Sequence, residues 1–135
     1  MKKIHALTVF TALSLLPFSS SFAAWKELGS NEVMVVYVDL DTISSSGEKA
    51  QILSMLDFKK PGVNPKTKQP VSSIIGLNEY NCPALSYRPI EFKEFSGNKG
   101  SGTVVSDNKT PDSEFEPVIS ESWTAGVFNV VCKRK

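Results

Sequence analysis

The sequence predicts an α+β fold, in which a small antiparallel β-sheet of about five or six strands carries a C-terminal helix packed on one face and one disulfide. Short segments rich in β-branched and aromatic residues alternate with turns rich in glycine, proline and serine, which is typical of antiparallel strands. Near the C-terminus the apolar residues change to a helical period. The chain also has two cysteines behind an export signal, and an oxidising compartment favours their pairing.

The N-terminal residues 1–23 have the composition of a Sec signal peptide. Two lysines precede a mostly apolar segment, residues 6–18, which is shorter than the about 20 residues that a membrane-spanning helix needs. Small residues then lead to Ala23, after which we predict cleavage; an uncleaved N-terminal anchor is the alternative. Cleavage leaves residues 24–135 as a single exported domain without a membrane-spanning segment. Its location would be the periplasm, the outer-membrane surface or the medium.

Loss of the signal peptide changes the chemistry that the protein can perform. It removes Lys2, Lys3 and His5, so the formal net charge falls from +1 to −1 and no histidine is left. A nearly neutral domain argues against nucleic-acid binding. Without histidine, a Ser-His-Asp triad, a Cys-His pair and a histidine-ligated zinc or haem site are excluded. We predict no enzyme, no catalytic residue, no cofactor and no metal; a hydrolase built on two distant carboxylates is an alternative without specific support.

Five segments have the residue types and turn boundaries of strands. They are residues 33–39, 50–58, 71–80, 87–95 and 103–106. Residues 107–117 are polar and are predicted to be irregular. A helix should follow, with Ser120 as its N-cap and Glu121 in its first turn. Its apolar face is predicted to contain Trp123, Val127, Val130 and Val131.

The connection between the second and third predicted strands is rich in lysine and proline. Its residues 59–70, KKPGVNPKTKQP, include no acidic residue. Proline and lysine suit exposed connections, so the segment is predicted to be a loop that forms a solvated hairpin tip. The alternative is a partner-binding loop, with the candidate contact residues Lys59, Lys60, Lys66 and Lys68.

Two further groups have a structural interpretation and a functional alternative. Gly97, Gly100 and Gly102 are predicted to form a hairpin turn, because a strand-like segment follows them where a phosphate-binding loop would open a helix. Asp39 and Asp41 are predicted to end a strand and to bond turn amides. A calcium site would need further oxygen ligands, which are not evident nearby.

Cys82 and Cys132 could be buried thiols, part of a metal site, a redox pair or a disulfide. A redox pair would favour the Cys-x-x-Cys spacing, whereas these cysteines lie in different segments. A structural zinc site needs four ligands, which the chain lacks. Export to an oxidising compartment therefore predicts a disulfide between the two.

The aromatic residues of the predicted strands and helix are mostly core candidates. They include Tyr80, Tyr87, Phe92, Phe95 and Trp123. One or two of them facing outward would make good anchors for a protein partner, because Tyr and Trp are enriched at binding hot spots. The sequence does not identify which.

Several short motifs occur in a characteristic order. They are Trp25 with Leu28-Gly29, Tyr37-Val38-Asp39 with Thr42-Ile43, Asp57-Phe58, Tyr80-Asn81-Cys82, Tyr87-Arg88, Phe95 to Gly102 with Thr103-Val104-Val105, and Cys132 at the end of the helix. With the signal peptide, this order resembles the surface-adhesin protein E-like domain family of Gram-negative bacteria over essentially the whole mature chain. The resemblance implies a small antiparallel sheet flanked by a helix and joined by a disulfide. It also implies an adhesin that engages host extracellular-matrix and plasma proteins. Homodimerisation and haem binding are associated with the family, although haem would here need Tyr or Met ligands.

We therefore predict an exported, non-enzymatic, adhesin-like protein that binds a protein partner from the host matrix or plasma. The alternative is a periplasmic envelope or stress accessory that binds another bacterial protein. Homodimerisation is an open alternative in either case.

Overall fold

The structure is a computed structural model that describes residues 24–132; the predicted signal peptide (residues 1–23) and residues 133–135 lie outside the described residues. Within this range, seven strands form one antiparallel sheet and a single α-helix follows. The elements are β1 (Trp25–Ser30), β2 (Met34–Ser46), β3 (Lys49–Val63), β4 (Pro70–Asn81), β5 (Ser86–Phe95), β6 (Val104–Lys109), β7 (Glu116–Pro117) and α1 (Trp123–Cys132). Strands β1 to β6 pair in chain order, and β7 pairs with the start of β5. The predicted α+β class is confirmed. No helix in the described part of the chain is long and apolar enough to cross a lipid bilayer.

The first two strands differ from the sequence prediction. β1 is not among the predicted strands, because its sequence WKELGS has low β propensity apart from Trp25. It forms because Leu28 packs against the core and the strand pairs along β2. β2 itself continues to Ser46, beyond residue 39, where the predicted strand ends. The reversal is made at Gly47, whose φ of +63° is easy only for a residue without a side chain.

The β3–β4 hairpin corrects the predicted loop over residues 59–70. Both strands extend into this segment, and only residues 64–69 connect them. Gly62 still pairs with Val71. The pairing is irregular just before Gly62, and this break accommodates Pro61, which has no amide hydrogen to donate to a regular ladder.

Residues 107–117 are not irregular throughout, as the sequence analysis predicts, because β6 runs into the segment and β7 lies within it. Asp107 lies opposite Lys93 and Lys109 lies opposite Glu91. Opposite charges across neighbouring strands stabilise their pairing. The Lys109 ammonium is 3.3 Å from the Glu91 carboxylate. These cross-strand partners are set by register, which local composition does not show.

The helix α1 begins at Trp123, later than predicted. Glu121 has a φ of +69°, so it lies outside the helix. Ser122 is the N-cap, since its Oγ accepts a hydrogen bond from the Ala125 amide at 3.3 Å. The predicted cap at Ser120 and the placement of Glu121 in the first turn are therefore wrong, because the left-handed backbone before Ser122 delays the first helical turn.

The core lies between α1 and one face of the sheet, which we call the helix face. Fully buried residues on the two sides include Val38, Ile52, Tyr80 and Val127. On α1 the buried residues are Thr124, Val127, Phe128 and Val131, while the predicted Trp123 and Val130 are partly buried at the margin. The predicted packing of the helix on one face of the sheet is confirmed.

A disulfide closes one end of this core. Cys82 follows β4 and Cys132 ends α1, and their Cα atoms are 5.4 Å apart across the bond. The bond ties the end of the helix to the end of the sheet, so the predicted disulfide is confirmed. We call this the disulfide end of the molecule.

Candidate functional site

The hairpin segment 59–70, here called the basic ribbon, extends beyond the neighbouring strands. The ladder from β2 reaches only Phe58 of β3, and that from β5 reaches only Ser73 of β4. At the base of the ribbon the Lys59 amide donates to the Val33 carbonyl at 2.8 Å. Beyond that point the ribbon is a two-stranded projection, with no third strand beside it among the described residues.

The four candidate lysines all lie on this ribbon and are exposed. They are Lys59, Lys60, Lys66 and Lys68. The salt bridges found among residues 24–132 join Glu79 to Arg88 and Lys109 to Glu91 and Asp107. No ribbon lysine takes part in them, so the structure presents these four charges on one projecting segment.

Asn64 orders the tip of the basic ribbon. Its Oδ1 accepts hydrogen bonds from the amides of Lys66 at 2.8 Å and Thr67 at 2.9 Å, which is an Asx turn. Its carbonyl accepts the Lys68 amide at 2.8 Å. Its Nδ2 donates to Oε1 of Glu94 at 2.6 Å. The tip is therefore held internally and is also fixed to β5.

An apolar opening lies on the helix face where α1 does not cover the sheet. We call it the Trp123 groove; its volume is about 170 Å³. Its apolar lining consists of Leu56, Ile74, Tyr87, Pro89, Phe92 and Trp123. The Trp123 ring meets the Tyr87 ring edge-on, with ring centres 6.4 Å apart. Three of the aromatic residues singled out in the sequence therefore meet at one partly open place.

A second opening lies on the other side of Trp123. It has a volume of about 230 Å³ and is lined by residues that include Leu28, Val36, Glu121 and Gly126. Trp123 thus borders two adjacent openings, one over β4 and β5 and one between β1 and α1. The N-terminal end of the helix therefore borders openings on two sides.

Two nearly buried polar side chains also line the Trp123 groove. Ser54 and Asn78 are 3% and 6% exposed, respectively. Neither side chain is hydrogen-bonded to another of residues 24–132. Sequence analysis did not find them. The available signal is that Ser54 falls between Ile52 and Leu56, at a position where strand alternation calls for an inward-facing apolar residue.

Tyr80 is the core residue beneath this region. Its hydroxyl is buried and has no hydrogen-bond partner among the described residues. Burial, and secondarily the neighbouring Tyr87, raises the pKa of Tyr80 well above its ordinary value of 10.0. Burial, with Glu116 as the lesser cause, also raises the pKa of Tyr87. Both phenols therefore stay neutral near pH 7 and are unsuited to proton transfer there.

The glycine-rich connection between β5 and β6 does not form an anion-binding loop. The Lys99 amide donates to Oδ1 of Asp57 at 2.8 Å, and the Gly100 amide donates to Oγ of Ser73 at 2.8 Å. Asn98 also donates to Oδ1 of Asp57 at 3.0 Å. Because these groups hold the turn against the sheet, the turn interpretation fits and the phosphate-binding alternative does not.

The carboxylates likewise have structural partners. Oδ1 of Asp39 accepts the Asp41 amide at 3.0 Å, which is the turn bond expected for this pair. Glu79 and Arg88 form a salt bridge with a closest contact of 2.9 Å. Among the described residues, no group of three or more carboxylate, cysteine or histidine side chains could hold a metal ion.

Comparison with known proteins identifies the family. A profile of the family described as Surface-adhesin protein E matches residues 25–133. No curated protein matches the chain significantly. The fold is similar to that of solved structures of Haemophilus influenzae protein E. Crystal form II of that protein is 15% identical, with a TM-score of 0.62 and coverage of 87% of this chain and 94% of that one.

Two further structures agree. Another structure of Haemophilus influenzae protein E has a TM-score of 0.59 at 15% identity, covering 87% of this chain and 90% of that one. Protein E from non-typeable Haemophilus influenzae has a TM-score of 0.58 at 15% identity, covering 87% and 81%. At this identity the structures show a shared fold, and the profile match carries the family assignment. The resemblance seen in the sequence is confirmed: the chain belongs to the surface-adhesin protein E family.

Proposed function

We propose that this protein is an exported, non-enzymatic, adhesin-like protein that binds a host extracellular-matrix or plasma protein through the Trp123 groove. The observation that carries the proposal is an apolar opening, bordered by tryptophan, on a sheet face that its own helix only partly covers. Tryptophan and tyrosine are the residue types most enriched at the energetic centres of protein interfaces. Membership of a surface-adhesin family supports the same conclusion.

The size of the openings supports a protein partner over a small ligand. At about 170 and 230 Å³ they are smaller than the about 300 Å³ at which sites for small molecules usually begin. Each has room for an apolar side chain of a partner, inserted beside Trp123. An interface of this kind obtains most of its binding energy from a few such anchors.

Ser54 and Asn78 would give the groove its selectivity. Both residues are nearly buried and line an otherwise apolar site. A partner that pairs them gains hydrogen bonds in a dry environment, whereas one that covers them without pairing leaves nearly buried polar groups unsatisfied. The groove therefore favours an apolar side chain next to a polar group, such as a backbone amide.

The basic ribbon would assist this binding by electrostatic steering. Lys59, Lys60, Lys66 and Lys68 are exposed and form no salt bridge to residues 24–132. Charges at the rim of an interface mainly raise the association rate and its salt dependence. We expect an acidic partner to bind faster at low salt than at high salt.

The test is binding of the folded, disulfide-bonded mature protein to a panel of matrix and plasma proteins. Trp123→Ala should weaken binding by about 2 kcal/mol or more, which is about 30-fold in Kd. Trp25→Ala is the matched control, because it removes a tryptophan from β1, outside the groove. Thermal unfolding of both variants shows whether a loss of binding comes from lost contacts with the partner or from unfolding of the protein. Absence of saturable binding to the panel, or equal losses for the two variants, would contradict the proposal.

Cell fractionation tests the alternative hypothesis, in which the protein lies in the periplasm and binds a bacterial envelope protein. Surface exposure predicts that protease added to whole cells digests the protein. Protection on whole cells, followed by release on osmotic shock, would instead assign it to the periplasm. Sedimentation of the free protein tests the remaining use of the groove, which is homodimerisation.

A further inference from the structure

We propose that the basic ribbon is a separate binding site for a linear sulfated polysaccharide of the glycosaminoglycan class. This goes beyond the proposed protein-binding function, in which the ribbon only steers the partner, and it does not involve the Trp123 groove. The inference rests on the charge, shape, residue types and backbone of residues 59–70.

The charge of the ribbon has a single sign. Its sequence contains four lysines and no acidic residue. Two carboxylates near its base and tip keep their negative charge, because their hydrogen-bond donors are neutral: Asp57 accepts the Lys99 backbone amide, and Glu94 accepts the side-chain amide of Asn64 and the hydroxyl of Ser106. Lys99 adds a fifth exposed cation at the base. The mature domain has a formal net charge of −1, so the positive charge is concentrated on the ribbon while the residues outside it sum to −5; a repeated anion would find its cations on the ribbon.

The ribbon has the shape of a linear site. Lys59 and Lys60 lie near its base and Lys66 and Lys68 at its tip. Asp57 pairs with Ser73 and Gly62 with Val71, so β3 bulges between these pairs. The β4 side of the ribbon, from Ser73 to Pro70, spans roughly 10 Å at the strand rise of about 3.3 Å per residue. A flat anionic membrane would touch the tip or one side of such a projection. A flexible polymer with charges repeated along its length can contact the lysines at the base and those at the tip.

The residue types favour a polyanion over a folded protein surface. Segment 59–70 contains no arginine and no aromatic residue. Protein interfaces are enriched in both and depleted in lysine. Lysine is a compact, rotatable point charge that lacks the planar fork with which arginine grips a single carboxylate. A row of lysines is therefore suited to binding many sulfate groups, none of which needs a fixed geometry.

The backbone gives independent support. Lys68 and Lys99 have φ values of +63° and +55°. This region favours glycine and asparagine, and a side chain there carries a conformational cost. The Lys99 ammonium lies 5.4 Å from the centre of the Tyr37 ring, so Lys68 is the position whose charge points to another use. The tip is also ordered before binding by Asn64 and stiffened by prolines, so less chain entropy is lost when the polymer binds.

The experiment measures Kd for heparin with the folded, disulfide-bonded mature protein over a series of salt concentrations. The variant Lys66→Gln with Lys68→Gln should weaken binding by about tenfold and make the salt dependence shallower. The variant Lys26→Gln with Lys93→Gln removes the same charge from exposed positions outside the ribbon and should change Kd by less than about twofold. Lys68→Asn should also weaken binding, while leaving the midpoint of thermal unfolding unchanged or higher.

Desulfated heparin and vesicles containing phosphatidylglycerol identify the source of the anion. The proposal expects weak binding to both. It is overturned if desulfated heparin binds as well as heparin, if the vesicles bind and heparin does not, or if the control pair loses as much affinity as the ribbon pair. Trp123→Ala should keep the full affinity for heparin. A result that contradicts the polysaccharide site therefore leaves the protein-binding groove unaffected, and the reverse also holds.

Discussion

The disulfide end and the basic ribbon are built from the same two strands, β3 and β4, yet they differ in every physical respect. At the disulfide end the helix covers the strands, and Ile52 and Tyr80 are fully buried. In the ribbon the strands continue beyond their neighbours, and Val63 is 64% exposed. One end has a core and a covalent bond, whereas the other has a short ladder and lysines.

The difference shows how a small domain can separate stability from recognition. Burial and the disulfide stabilise one end, so the other end can expose charge and apolar surface without unfolding the whole. The Trp123 groove lies between them, where α1 begins and the sheet continues. We therefore expect substitutions at the disulfide end to change stability, and substitutions in the groove and the ribbon to change binding.

The largest expected effect is loss of the disulfide. Cys82→Ser with Cys132→Ser should lower the free energy of unfolding by about 4 kcal/mol, because the bond closes a long loop and restricts the unfolded chain. Urea unfolding of the two proteins measures the change. Lys66→Gln with Lys68→Gln serves as the control at the other end, with an expected change within about 0.5 kcal/mol. Equal midpoints for the disulfide variant and the parent would contradict the comparison.

A matched pair of valines makes the contrast directly. Val127 is fully buried in α1, and Val127→Ala should destabilise the protein by about 2 kcal/mol through lost burial and the cavity left behind. Val63→Ala, in the ribbon, should cost less than about 0.5 kcal/mol. Chemical denaturation of both variants checks the pair. Similar losses of unfolding free energy in the two variants would contradict the comparison, because they would mean that the exposed ribbon stabilises the fold as much as the core does.

Alkaline pH should lower the free energy of unfolding through Tyr80, which is fully buried at the disulfide end. The folded-state pKa of Tyr80 lies above its ordinary value, so the unfolded chain releases this proton at a lower pH than the folded one. The stabilisation is therefore complete below pH 10 and is lost as pH rises above it, by at most about 1.4 kcal/mol per pH unit. Tyr80→Phe should flatten the fall of the unfolding free energy between pH 9 and pH 11. An unchanged slope in that variant would exclude Tyr80 as the cause.

Local patterns in the sequence predicted much of the fold. Strand β4 follows from its β-branched and aromatic residues, and part of the inward face of α1 follows from the helical period, because Val127 and Val131 are buried. The disulfide followed from the expected compartment. By contrast, β1 and the second half of β6 are held by register with a neighbour, and no single segment encodes register. The extension of β3 past two lysines and Pro61 has the same origin.

The binding surfaces could be predicted only in part. The lysines of the ribbon are evident from composition, but their projection beyond the sheet depends on where β2 and β5 stop pairing. The sequence singled out Trp123 as one of several aromatic residues without showing which of them borders an opening. Trp123 borders an opening because α1 begins late, and this late start follows from the left-handed backbone at Glu121. Ser54 and Asn78 were missed because polar residues within strands have several explanations.

The most direct test of the separation between stability at the disulfide end and binding elsewhere is photo-crosslinking on living cells exposed to matrix and plasma proteins. One protein carries a photoreactive phenylalanine analogue in place of Glu121, at the rim of the opening beside Trp123. The other carries it in place of Ala84, an exposed residue two positions after Cys82. We predict that the position-121 protein crosslinks a matrix or plasma protein and the position-84 protein does not. Equal crosslinking at both positions, or a partner captured only at position 84, would contradict the assignment of binding to the open side of the molecule.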